Sequence, residues 1–328
     1  MEYLADQARI LIYGDPHLCS KNYGAHVDYA SESLDLFKKI TDIAIEQQAT
    51  MLVGLGDFSY GRFHTLEYRE AVENELQRQY GVVQGSHYQL KGNHDKASYG
   101  MTEYEYYIKK GLLKPSCNIQ IGNVNITMVD YGLHTKTEPN ISTADGATNV
   151  ILAHDYFRFS NSPMPNMGKF VELDNFSKWF GVDYIISGHI HTQYIFEGDI
   201  IKQDNGIARA HHVIVQYPGS LPRPAYTEGH MDLEGRLVLL VIDESGNLDY
   251  QVITIDLPDL AESFNLSQKA IEAEKKLRKE QRVDISDIIK KLDSHNRTIG
   301  NPEDIINAMG VPEKYKVKAI ELLKASRS

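Results

Sequence analysis

Ile10-Leu11-Ile12-Tyr13-Gly14-Asp15-Pro16-His17 sets an apolar run directly against a glycine and two side chains able to bind a metal. The run reads as a buried strand, and the polar residues begin where it stops. The same junction recurs along the chain. Met51 to Leu55 leads into Gly56-Asp57, Tyr88 to Leu90 toward Gly92-Asn93-His94-Asp95, Val150 to Ala153 into His154, and Tyr184 to Ile186 toward Gly188-His189-Ile190-His191. Helical patterns separate the early runs, through Leu34, Phe37, Ile40 and Ala44 and again near residues 65 to 80, with a further candidate over 171 to 180. Strands alternating with amphipathic helices predict a layered α/β fold, in which sites form at strand ends. Five motifs at five strand ends can converge on one rim.

Later apolar runs, Leu237 to Ile242 and Tyr250 to Ile255, flank the turn-forming Glu244-Ser245-Gly246-Asn247 and predict a hairpin closing the sheet. Past Pro258 the texture changes to charged helical stretches, with an apolar face through Ile285, Ile288, Ile289 and Leu292 and a capped start at Asn301-Pro302. The expected organisation is a catalytic domain over 1–257 and a small helical module over 258–328.

Of the 328 residues, 42% are hydrophobic and 24% charged, the mixture of a folded globular chain and not of a collagenous or disordered one. The longest apolar run is too short to cross a bilayer, so no membrane association is expected. Cys19 and Cys117 stand far apart in no metal or redox spacing, which favours a reducing, cytoplasmic setting. The net charge of −11 argues against a chain that grips nucleic acid unaided. That charge is uneven. Residues 261 to 328 carry 14 Lys and Arg against 11 Asp and Glu, leaving 20 against 34 in residues 1 to 260.

Taken singly, most of the motifs have ordinary readings. Asp15-Pro16-His17 can be a loop accident, Asp57 a loop acid before a helix, and His189 and His191 a surface pair. The amide oxygen of Asn93 can ligate a metal while the adjacent His94 faces substrate, and Asp95 can either accept a hydrogen bond from His94 and hold its orientation or simply stabilise the turn. His26, His64, His87, His211, His212, His230 and His295 have no comparable setting and read as surface or loop histidines.

Taken together and in order, Asp-x-His, Gly-Asp, Gly-Asn-His-Asp, a later His and Gly-His-x-His, all filled between residues 14 and 191, resemble the calcineurin-like metallophosphoesterase family. The resemblance implies an α/β/β/α sandwich and two divalent metals, expected to be Mn²⁺. It implies that Asp15, His17, Asp57 and His191 hold one ion and Asp57, Asn93, His154 and His189 the other, with His94 and Asp95 catalytic. The implied reaction is in-line attack of a metal-bridging hydroxide on a phosphoester. His154 is preferred over His134 for its ligand position because Val150 to Ala153 carries it to a strand end.

Tyr217-Pro218-Gly219-Ser220-Leu221-Pro222-Arg223 looks like the segment found in SbcD-type DNA exonuclease subunits. Asp57-Phe58-Ser59 departs from the Asp-Arg-Gly continuation usual in phosphoprotein phosphatases, and Tyr60 stands where SbcD-like relatives commonly have Asp or His. The resemblance implies an exonuclease or endonuclease subunit for DNA recombination and repair, working with an SbcC-like SMC-family ATPase docked through the carboxy-terminal helices. The sequence leaves a homodimer open. A small-molecule or cyclic-nucleotide phosphodiesterase is the alternative, and a noncatalytic scaffold a more distant one.

Overall fold

The computed structural model describes residues 2–3, 7–21, 26–97, 99–133, 143, 146–160, 169–174, 179–204, 207–223 and 234–264. Two sheets stack face to face. The larger has the order β1 (Glu2–Tyr3), β5 (Asn118–Ile121), β6 (Val124–Val129), β7 (Thr148–Ala153), β10 (Tyr184–Ser187), β12 (Ile207–Tyr217) and β11 (Tyr194–Asp204). The smaller has the order β14 (Leu248–Ile255), β13 (Gly235–Ile242), β2 (Ala8–Tyr13), β3 (Met51–Gly54) and β4 (His87–Gln89). In the larger sheet β6, β7, β10 and β12 run parallel, and in the smaller so do β2, β3 and β4.

The strand period of two divides β2 between two cores. Ile10 and Ile12 join Val53 and Leu55 against Ile126, Val150, Leu152 and Ile186 in the layer between the sheets. Leu11 and Tyr13 face the other way, onto Phe37 and Ile40 of α1 (Tyr29–Glu46) and Val72 and Leu76 of α2 (Leu66–Val82). Both helices have the expected apolar stripe and a capped start: the Asp28 and Thr65 side chains accept from the backbone N–H groups of Ser31 and Tyr68. A shorter helix, α3 (Glu103–Lys109), begins at a capping box formed by Thr102 and Glu105.

The outer face of the larger sheet, through Ile151, Ile185, Val213 and Val215, is covered by Phe157, Val171, Leu173 and Trp179. None of the α-helices among the described residues contributes to that cluster. Val171–Glu172, expected to begin a helix, is instead β9, paired with β8 (Phe157–Arg158). Val171 and Leu173 are buried while Glu172 is not, a strand alternation that the helical reading of 171 to 180 missed. Residues 175–178 of that stretch lie outside the described residues.

The first compact unit spans Met1–Asn265. It includes α4 (Leu260–Ser263) and Phe264, whose ring lies 4.2 Å from that of His26. The helices expected beyond residue 265 lie outside the described residues. No helix among those described is long and apolar enough to cross a membrane.

Candidate metal centre

Asp15, Asp57, Asn93, His154 and His189 each follow the carboxyl end of a parallel strand: β2, β3 and β4 in one sheet, β7 and β10 in the other. The stacking of the sheets brings these five ends, with His17 and His191, to one place. Ligand atoms of Asp15, His17, Asp57 and His191 all lie within 4.8 Å of one another. The Nε2 atoms of His17 and His191 are 2.9 Å apart, and two nitrogens bound side by side to one ion at about 2.1 Å would stand about 3 Å apart. Beside them, Asn93 Oδ1 lies 3.0 Å from His154 Nε2 and 2.8 Å from His189 Nδ1, and His154 Nε2 lies 3.4 Å from Asp57 Oδ2. Asp57 thus stands between the two groups.

The turns that aim these side chains are strained. His17, Asp57 and His189 have φ of 43°, 45° and 75°, a left-handed backbone that non-glycine residues seldom adopt. Gly56 and Gly92 leave room for the ligands. A Cβ at Gly56 would stand 2.2 Å from His154 Nδ1, and one at Gly92 would stand 2.1 Å from Asp57 Oδ1.

The arrangement fits bound cations. His154 Nδ1 lies 2.7 Å from the carbonyl of Leu55, which can only accept, so this nitrogen carries a proton. A neutral His154 therefore turns the Nε2 lone pair toward the oxygens of Asp57 and Asn93, and Asp57 Oδ2 is buried with no hydrogen-bond partner. Acceptors facing acceptors require positive charge between them. Without a metal, protons serve: burial opposes a charged His154, but Asp15 and Asp57 beside it outweigh burial and push it up to about 9. Burial likewise raises Asp15 to about 8 and lowers His17 to about 4, while His154, His17 and His94 hold Asp57 below the usual carboxylate range against its burial.

His94 sits at the rim with its side chain 37% exposed and its Nε2 4.0 Å from Asp57 Oδ2. Its backbone N–H donates to Asp57 Oδ1 at 2.8 Å. The expected support from Asp95 is not found. Asp95 is fully buried and its carboxylate accepts backbone N–H groups from Gly92, Phe58 and Ser59 at 2.9, 3.1 and 3.3 Å, tying the loop after β4 to the loop after β3. Burial raises its carboxyl to about 6. The His94 ring is flanked instead by Tyr60, at 4.9 Å between centroids and 30° between planes, and by His17 at 5.3 Å.

The Pro218-Gly219-Ser220 segment lies behind the ligands. Ser220 N–H donates to the carbonyl of His191 and Leu221 N–H to that of Asp15, at 3.2 and 3.1 Å. It holds two ligand loops together, and Ser220 is buried. Tyr131, not singled out in the sequence, lies 5.4 Å from the His189 ring and 6.0 Å from that of His154. Of the histidines read as surface or loop residues, His26, in the loop before α1, and His87, in β4, are buried.

Among solved structures, the chain is similar to a dimetal phosphatase from Danio rerio, with 10% identity and a TM-score of 0.41 over 76% of this chain and 99% of that one. No curated protein matches the sequence. The sequence profile described as calcineurin-like phosphoesterase matches residues 8–193, more than half of the 328 and all seven of the clustered residues. The chain belongs to the calcineurin-like phosphoesterase family.

Proposed function

We propose that this phosphoesterase cleaves phosphodiester bonds of DNA, with two divalent ions, Mn²⁺ in our reading, held by Asp15, His17, Asp57 and His191 on one side and Asp57, Asn93, His154 and His189 on the other. The observation that carries the chemistry is the buried, unpartnered Asp57 Oδ2 with three imidazole nitrogens 3.4 to 4.0 Å away, at the meeting point of five strand ends. Two such ions, when bound, neutralise charge on the phosphoryl oxygens and supply hydroxide near neutral pH. The protein's own residues do the rest. Asp57 and Asn93 fix the spacing of the ligand groups, the Leu55 carbonyl keeps His154 Nε2 turned inward, and His94 delivers a proton to the leaving oxygen from the exposed rim.

DNA is favoured over small diesters by the surroundings of His94. Tyr60 flanks its ring, and Tyr99, 77% exposed, lines a cavity together with His94, Arg62 and Lys96. Aromatic faces beside cations suit stacked bases and their phosphates. The Tyr217 to Arg223 segment supports the same reading through its likeness to SbcD-type subunits. Because the chain is acidic, an SMC-like ATPase partner would supply further DNA-binding surface.

The test compares linear DNA, a cyclic nucleotide, a chromogenic small diester and a phosphopeptide on one metal-stripped preparation reloaded with Mn²⁺. DNA hydrolysis should exceed phosphopeptide hydrolysis and weaken as salt rises. Efficient turnover of small diesters with DNA left intact, even with the ATPase present, would favour the small-molecule phosphodiesterase instead.

A further inference from the structure

Beside the metal centre, and sharing His94 as a wall, is a cavity of about 350 Å³ lined by Ser59, Arg62, Lys96, Tyr99 and Thr102. That volume is at the small end of ligand sites and suits one compact group. Its two cations are unlike those just outside it. Arg69 pairs with Glu103 at 2.6 Å, Lys91 with Glu105 at 2.9 Å and Lys110 with Glu73 at 2.7 Å. Arg62 and Lys96 have no carboxylate in ion-pair range among the described residues.

Both cations are held in place by contacts that leave their charge uncompensated. The Arg62 guanidinium donates through Nη2 to the carbonyl of Tyr99, which anchors one edge of the fork and leaves other donors for a ligand. Lys96 Nζ lies 4.8 Å from the centre of the Tyr131 ring, whose own neighbour is His189. In a chain of net charge −11, two uncompensated cations around a cavity next to the catalytic histidine call for an anion. His94 protonates the leaving oxygen in the reading above, so a group seated beyond His94 belongs to the leaving side of the scissile bond.

We propose that this cavity is a subsite for a second phosphate, carried by the leaving-group nucleoside. The inference rests on the phosphodiesterase reading and narrows its substrate class. A cyclic nucleotide or a bare diester has one phosphorus and leaves Arg62 and Lys96 unmatched, whereas a polynucleotide places another phosphate along the leaving strand. Arg62 offers a planar fork to two phosphate oxygens and Lys96 a point charge.

Binding tests the subsite apart from turnover. The Mn²⁺-loaded full chain, the double variant Arg62→Gln/Lys96→Gln and a charge control, Lys38→Gln on α1, are titrated calorimetrically with thymidine 3′,5′-bisphosphate and with thymidine 5′-monophosphate. The parent and the control should bind the bisphosphate at least tenfold more tightly, and the double variant should bind both nucleotides alike. In kinetics, the ratio of kcat/KM for a dinucleotide with a terminal phosphate on its leaving side to that for the unphosphorylated dinucleotide should fall at least tenfold in the double variant. Equal affinity for the two nucleotides in the parent, or a preference kept by the double variant, overturns the subsite. A bisphosphate preference in a protein that cleaves no DNA overturns the nuclease reading and leaves the subsite standing.

Discussion

A methyl group at Gly92 would meet Asp57 twice, 2.1 Å from Oδ1 and 2.2 Å from the backbone nitrogen, and the backbone cannot swing aside. Gly92→Ala should therefore lower metal content and phosphoesterase activity together while leaving every candidate ligand in the sequence; elemental analysis and a chromogenic phosphoester assay read the two, and a circular dichroism spectrum checks that the fold is kept. Full metal loading would show that the two loops give way more easily than this contact implies. His94→Ala should behave differently: metal content stays, because the half-exposed imidazole is not one of the proposed ligands, and kcat falls on the order of 10²- to 10⁴-fold. The residues that cluster at the strand ends were legible because each stands just past an apolar run. The residues around His94 were not. Tyr60, Arg62 and Lys96 are common residue types whose meaning comes from what two distant loops place beside them, and the tie that Asp95 makes between loops was not legible because two of its partners, Phe58 and Ser59, come from the loop after β3.

Elements carry the same lesson in their boundaries. The strands of the two cores were readable because burial on both faces makes them continuous apolar runs, as in β3, where all four residues are buried. The paired β11 and β12 were mostly missed, since β11 mixes Glu197, Asp199 and Lys202 among its apolar residues and gives no clean alternation. At the other end of the unit, α4 and Phe264 close over the loop before α1. Val27 N–H donates to the Ser263 carbonyl, Arg223 to that of Pro258, and the Phe264 ring covers His26, which lies against Tyr29 at 4.7 Å. Tyr29 in turn donates its hydroxyl to the His17 carbonyl at 3.2 Å. A chain ending after Leu257 should therefore have lower thermal stability and metal affinity than one ending after Asn265. Phe264→Ala, which empties a fully buried site, should cost about 3 kcal/mol in urea unfolding, and a loss under about 1 kcal/mol would mean that this closure contributes little.

Across the whole molecule, acid should act on buried bases as well as on metal ligands. His87, on β4, is fully buried, and burial lowers its imidazole to about 3. Its tautomer follows from its neighbours: Tyr13 donates its hydroxyl proton to Gln89 Oε1 at 2.8 Å, so His87 Nε2, also 2.8 Å from that hydroxyl, must donate to it. Nδ1 then carries the lone pair and is buried without a partner, so a second proton would sit as an unsatisfied charge in the helix-side core. In the unfolded chain the same imidazole protonates near its ordinary value of about 6.5. Between there and about 3 the unfolded state holds a proton that the folded state excludes, so stability falls as pH falls through that window. At pH 5 this loss amounts to about 2 kcal/mol relative to pH 7, at about 1.4 kcal/mol per pH unit. Urea unfolding of the chelator-treated protein at the two pH values should show that loss on top of contributions from the ligand cluster. His87→Gln keeps an N–H donor for Tyr13 and has nothing to titrate, so it should be less stable than the parent at pH 7 yet lose about 2 kcal/mol less on going to pH 5. Equal losses in the two proteins would mean that His87 accepts its proton within the fold, and that its core is open to water.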